Sequence, residues 1–152
     1  MLKLELNCEP HVAVRVVLPS DDKETIKNKR RKQFINKRTC ILKVETENEQ
    51  FTITAYKNYC FDSATIPFGI GKGDTRLFVP ALFHDIMCDK KEVVNYNRNL
   101  SSRIFRELLL MCEVPKWKAE IMYLAVDNYQ KFCGWKKKEK ENEMSSSKNH
   151  EN

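Results

Sequence analysis

The chain has 152 residues, with 27 Lys plus Arg against 21 Asp plus Glu, a formal net charge of +6 and an isoelectric point near 9.0. Hydrophobic residues at 41% and aromatics at 10% exclude whole-chain disorder and are enough for one core without metal or disulfide staples. No apolar run reaches the roughly 18 to 20 residues of a membrane span, and residues 1–7 lack an uninterrupted signal-peptide core, so a soluble, unprocessed protein without a membrane span is expected.

Charge is concentrated at residues 27–38, which hold seven Lys or Arg and no acid, more than the whole net charge. This run is expected to be a solvated basic loop, and Lys29, Arg30, Arg31 and Lys32 are its candidate contacts for nucleic acid or a protein partner. Before it, residues 12–18 are rich in β-branched side chains and stop at Pro19-Ser-Asp-Asp22, which predicts a strand. After it, residues 40–46 and 50–56 flank Glu47-Asn-Glu49. In the second run Phe51, Ile53 and Ala55 alternate with Thr52, Thr54 and Tyr56, the two-residue period of a half-buried hairpin. Gly69, Gly71 and Gly73 then crowd between Pro67 and Pro80, and a loop is expected there.

Helical spacing follows. Leu82, Phe83, Ile86 and Met87 predict a helix after Pro80, with His84 and Asp85 off its apolar stripe. A second helix is expected over 100–112, capped by Asn99, with Ile104, Phe105, Leu108, Leu109 and Cys112 on one face. A third is expected from Pro115 to about Cys133, with Trp117, Ile121, Leu124, Ala125 and Phe132 inward and Gly134 as its stop. Residues 137–152 carry no apolar period and are expected to be a disordered charged tail, leaving residues 1–136 as one domain. The predicted class is α+β, a small N-terminal antiparallel sheet followed by about three packed helices.

The six cysteines are too widely spaced for a zinc ribbon or a C-x-x-C redox motif, and are expected to be mostly buried free thiols, with intermolecular or late disulfides left open. His84-Asp85 and Asp62 are the chemical candidates. An imidazole and a carboxylate at one end of a cavity can act as general base and cation ligand, with Asp85 and Asp62 as the metal-binding pair and a divalent metal as the cofactor. The alternative is a buried polar knot in which the same groups tie the helix starts to the loop around Asp62. Both readings stand at this point.

Four segments in order, Phe61-Asp62-Ser-Ala-Thr-Ile-Pro67, Pro80-Ala-Leu-Phe-His84-Asp85, Ser101-Ser-Arg-Ile-Phe105 and Val114-Pro-Lys-Trp117-Lys-Ala119 with Met122-Tyr-Leu-Ala-Val126, resemble the phage and prophage family called domain of unknown function 1353. The resemblance covers roughly residues 40–133 and rests on patterns of the form D-x-A-S/T-I-P, H-D-x-L, R-x-x-A-D-x-x-F and V-P-x-W-x-A. This chain departs from them at Cys60, where the family has Gly, at Phe68 for Arg, at Cys88 for an aromatic and at Ser102 for Asp. The H-D helix followed by a D-x-x-F helix is also distantly similar to the helix pair of secreted phospholipases. These resemblances imply a phage protein located in the host cytoplasm or the virion, not exported by a signal peptide. It is either a metal- or water-dependent hydrolase or a non-enzymatic protein that binds a virion component or a host factor, with weak non-specific nucleic-acid affinity through the basic run.

Overall fold

The computed structural model describes residues 1–62, 74–89 and 97–131. The expected tail, the glycine-rich stretch and the end of the last predicted helix, with Phe132, Gly134 and Trp135, lie outside them. Within them the α+β class holds, but the N-terminal part is two three-stranded antiparallel sheets rather than one. The first joins β1 (Lys3–Leu6), β4 (Cys40–Glu45) and β5 (Gln50–Ala55) in the order β1-β4-β5. The second joins β2 (Val12–Val14), β3 (Phe34–Asn36) and β6 (Cys60–Phe61) in the order β2-β3-β6.

The first sheet follows directly from its alternation. Cys40, Leu42 and Val44 point inward, opposite Ala55, Ile53 and Phe51 of β5, while Lys43 and Thr52 form an outer pair. Leu4 and Leu6 of β1 face Val44 and Leu42 in the same register. A slip of one residue would turn this whole apolar set to solvent, so the hairpin register is strongly specified.

The two sheets are tied by Asn36, which is fully buried. Its Nδ2 donates to the carbonyls of Ala55 at 3.1 Å and Tyr56 at 3.2 Å, and its Oδ1 accepts from the Arg38 N–H. Its backbone also pairs with Tyr59 and Asn58, where Asn58 takes the positive φ of 74° that lets the chain turn from β5 into β6. One side chain thus satisfies the backbone groups exposed where the first sheet hands over to the second.

The basic run is not a loop. Residues Lys23–Arg31 form helix α1, and the chain passes from it through Lys32 and Gln33 into β3. α1 buries no residue, so capping, charge and polar contacts hold it rather than apolar packing. Asp22 caps it by accepting from Thr25 N–H at 2.7 Å, Glu24 sits at its positive end, and Lys29, Arg30 and Arg31 sit at its negative end. The predicted strand at 12–18 shortens to three residues. Beyond Val14 the chain instead docks onto α1, with Lys29 Nζ on the Val16 carbonyl at 2.9 Å and Arg15 Nη1 on Asn28 Oδ1 at 2.8 Å.

After a 3-10 turn at Thr75–Leu77 come α2 (Phe78–Cys88), α3 (Arg98–Met111) and α4 (Lys116–Tyr129). α2 begins two residues before Pro80, which fits in the first turn where N–H groups lack helical partners anyway. α2 packs between the sheets and α3 and is buried on nearly every side, so His84 is not off the buried face as its spacing suggested. α3 is capped by Asn97, not Asn99, through Asn97 Oδ1 and the Leu100 N–H at 2.7 Å. It ends with Glu113 at φ 64°, whose N–H returns to Leu110.

α4 departs furthest from its pattern. Ala119, Met122 and Val126 are its buried face, packed on Phe105, Leu109 and Val114, whereas Trp117 is 66% exposed and Ile121 and Leu124 also face outward. Both faces carry apolar residues, so the periodicity has no unique phase. The choice falls on the face with small Ala119, which lets α3 and α4 approach closely. A larger core joins the first sheet to α2 and to Leu100, Ile104 and Leu108 of α3.

Candidate functional site

Neighbouring residues on a helix lie about 100° apart, so His84 and Asp85 address different elements. The His84 ring packs against Phe105 of α3, with centroids 5.0 Å apart at 53°, and Cys88 Sγ one turn later lies 3.6 Å from its Nε2. Only 8% of His84 is exposed. Asp85 turns toward the junction between β5 and β6, where the Tyr59 hydroxyl meets its Oδ2 at 3.5 Å, the outer limit of a hydrogen bond.

Tyr59 was not among the sequence candidates. Burial, then the negative fields of Asp85 and Asp89, push its phenol well above the usual tyrosine range. It therefore stays protonated and acts as a donor to the carboxylate rather than as a base. Its signal in the sequence is weak, being only an aromatic two residues before Phe61. Asp62 follows β6 directly, and β6 packs against α2, so His84, Asp85 and Asp62 come from adjoining elements. Among the described residues no group of three or more His, Cys, Asp or Glu is placed to hold a metal ion.

Ser102 stands where the resembling pattern has Asp, and it is buried. Its hydroxyl donates to Asp127 Oδ1 of α4 at 2.8 Å, and Arg98 of α3 pairs with the same oxygen. A carboxylate therefore reaches this part of the helix layer from α4. Arg98 was also missed, although it occupies the Arg position of the R-x-x-A-D-x-x-F pattern, four residues before Ser102. Beside it, Ser101 Oγ is buried with no hydrogen-bond partner among the described residues.

A second polar cluster fixes the start of α2. Asp74 accepts from Arg76 Nε at 3.0 Å and Nη2 at 2.7 Å, and from Lys118 Nζ at 3.0 Å, while Arg76 Nη1 donates to the Glu113 carbonyl at 3.1 Å. Arg76, and after it Lys118, hold the Asp74 carboxyl well below the usual carboxylate range. This cluster joins the entry to α2 with the turn between α3 and α4. A separate groove of about 400 Å³ is lined by His11, Glu9, Arg38 and Phe78, not by His84 or Asp85.

The basic candidates divide. Lys29 is turned inward, its Nζ 2.7 Å from Asp21 Oδ2, and it holds that carboxyl below its ordinary range. Lys32 is half-buried, with its N–H on Asn28 and its carbonyl on Arg15. Arg30 and Arg31 are exposed. Phe34 is no surface stacking platform, because its ring packs on Phe78 at 4.8 Å and Phe61 at 5.7 Å. Beside α1, the exposed Val14, Val16, Val17 and Leu18 form an apolar strip.

Residues 40–126, more than half of the chain, match the family model described as "Protein of unknown function (DUF1353)". No curated protein and no solved structure matches the chain. The chain belongs to the DUF1353 family.

Proposed function

We propose that this DUF1353 protein is a non-enzymatic binding protein whose His84-Asp85 cluster is structural and whose contact surface is α1 with the strip beside it. The observation that carries the reading is the enclosure of His84, 8% exposed between Phe105 and Cys88. A general base needs a route to its substrate, and an imidazole packed on an aromatic ring inside a helix layer serves the core instead. The Tyr59–Asp85 and Ser102–Asp127–Arg98 contacts fit the same role, since buried polar groups are kept where they have partners.

The surface supports a protein partner. Arg30 and Arg31 are exposed on α1, and the segment that Lys29 of this helix holds through the Val16 carbonyl exposes Val16, Val17 and Leu18, so the same part of the molecule offers positive charge and apolar area. Nucleic-acid backbone would use the charge and leave the apolar strip uncovered, whereas an acidic-rimmed apolar surface on another protein matches both. The motif resemblance to phage and prophage proteins supports a virion component or a host factor in the cytoplasm as that partner.

The test has two parts. Wild type, His84→Gln and Asp85→Asn are assayed on p-nitrophenyl acetate and bis-p-nitrophenyl phosphate with Mg²⁺, Ca²⁺ and Zn²⁺. The expected result is no turnover above buffer and a lower melting temperature in both variants; turnover lost in both with the melting temperature kept would overturn the reading. Second, Arg30→Ser/Arg31→Ser should abolish cross-linking to the partner while keeping the fold, whereas loss through Trp117→Ser instead would place the interface on α4. Oligonucleotide binding that equals partner binding in strength and in salt dependence would make nucleic acid the ligand.

A further inference from the structure

We propose that Cys8 and Cys40 are a peroxide-reactive thiol pair that closes to a disulfide and locks the N-terminal strand onto the central one. Their Sγ atoms lie 3.0 Å apart, and both cysteines are free thiols in the structure. The placement follows from the sheet. β1 and β4 pair Glu5 with Lys43 and Leu6 with Leu42, and the Asn7 N–H continues the ladder to the Ile41 carbonyl at 3.1 Å. One step further, Cys8 falls opposite Cys40. The hydrogen-bonded positions are 7 and 41, so the register carried past the end of β1 at Leu6 puts 8 and 40 at a non-hydrogen-bonded position. Such pairs have Cα atoms about 4.5 Å apart and side chains close together, within the span a disulfide bridges. Asn7 Oδ1 fixes this end by accepting from the Ile41 N–H at 2.8 Å.

The two thiols differ in access. Cys8 is half-buried, while Cys40 is fully buried under the sheet. Burial first, and then the adjacent Cys8, push the Cys40 thiol up to about 12. Cys8, the more accessible sulfur, is therefore the one a peroxide reaches first, and Cys40 is the resolving thiol. Cys8 sulfur attacks the O–O bond of a hydroperoxide, forming cysteine sulfenic acid and releasing the alcohol, or water from hydrogen peroxide. Cys40 sulfur then attacks Cys8 sulfur, the S–S bond forms, and the sulfenic oxygen leaves as water with the Cys40 proton. The two electrons lost by the thiols reduce the peroxide. Attack over 3.0 Å offsets the low thiolate fraction of Cys40, since the partners are already held in place. The closed loop would contain β2, α1 and β3, the elements that build the proposed contact surface.

The full-length reduced chain is treated with hydrogen peroxide and digested without reductant. The expected product is a Cys8–Cys40 linked peptide pair, two hydrogens lighter than the free peptides, with the thiol titre falling from six to four. The melting temperature should rise by about 5 °C or more and return on reduction. Cys40→Ala should leave Cys8 sulfenic acid to be trapped by dimedone, and Cys8→Ser should leave Cys40 unmodified at the same dose. The proposal is overturned if wild type keeps six titratable thiols, if Cys8 links to a different cysteine, or if Cys40 reacts unaided in Cys8→Ser.

Discussion

Ser102 on α3 donates its hydroxyl to Asp127 on α4 at 2.8 Å, and Arg98 shares that carboxylate. The position is buried, so its charge balance is tight. Ser102→Asp would place two carboxylates against one guanidinium, and the pair should lose about 2 kcal/mol or more of stability at neutral pH rather than gain a metal site. Repulsion raises the pKa of one carboxyl above its unfolded value. The loss should therefore shrink as pH falls through that raised pKa, because one group then keeps its proton in the folded state. Denaturant unfolding at pH 5 and pH 8 reads this difference, and Asp127→Asn in the same background should recover most of the stability.

His84 should behave as a core residue. His84→Ala removes a ring from between Phe105 and Cys88 and should cost about 2 to 4 kcal/mol through the cavity it leaves. His84→Phe keeps the ring contact with Phe105 while giving up the polar contact with sulfur, so it should recover at least half of that loss in urea unfolding. Equal loss in both variants would mean that the ring nitrogens, not the ring, carry the interaction.

Asp74 makes stability depend on acid. Its folded carboxyl is depressed, chiefly by Arg76 and then by Lys118, so its contribution is present above the unfolded carboxyl value of about 3.9 and fades as pH falls below it toward the folded value. Asp74→Asn should cost about 1 to 2 kcal/mol at pH 7 and flatten the fall in stability below about pH 4. Melting curves between pH 2 and pH 7 for both proteins check the slope as well as the size.

Asn36 should be intolerant of change. Asn36→Leu strands the carbonyls of Ala55 and Tyr56 and the Arg38 N–H at the junction of the two sheets, and should cost about 2 to 4 kcal/mol. Asn36→Asp keeps the acceptor for Arg38 but turns the Nδ2 donor into an oxygen facing two carbonyls, so it should be no better than Leu near neutral pH. Denaturant midpoints for the two variants test this ordering.

Elements whose apolar pattern has one solution can be read directly from the order of residues. Strict alternation in residues 50–56 leaves one inward face, so the β4–β5 hairpin and its register were legible, as was α3, whose Ile104, Phe105, Leu108 and Leu109 make one stripe. The match over residues 40–126 spans both the β4–β5 hairpin and α3. Which apolar face of α4 is buried depends on packing, because Trp117, Ile121 and Leu124 compete with Ala119, Met122 and Val126 until α3 is in place. α1 was hidden for the opposite reason: it has no apolar face to read, and its signals are the Asp22 cap and the Lys29 latch onto Val16. The cluster around Asp127, the junction at Asn36 and the facing thiols of Cys8 and Cys40 all join residues at least nineteen positions apart. Periodicity reports the face a residue shares with its near neighbours, whereas a hydrogen bond or a thiol contact between distant residues exists only after packing has brought their elements together.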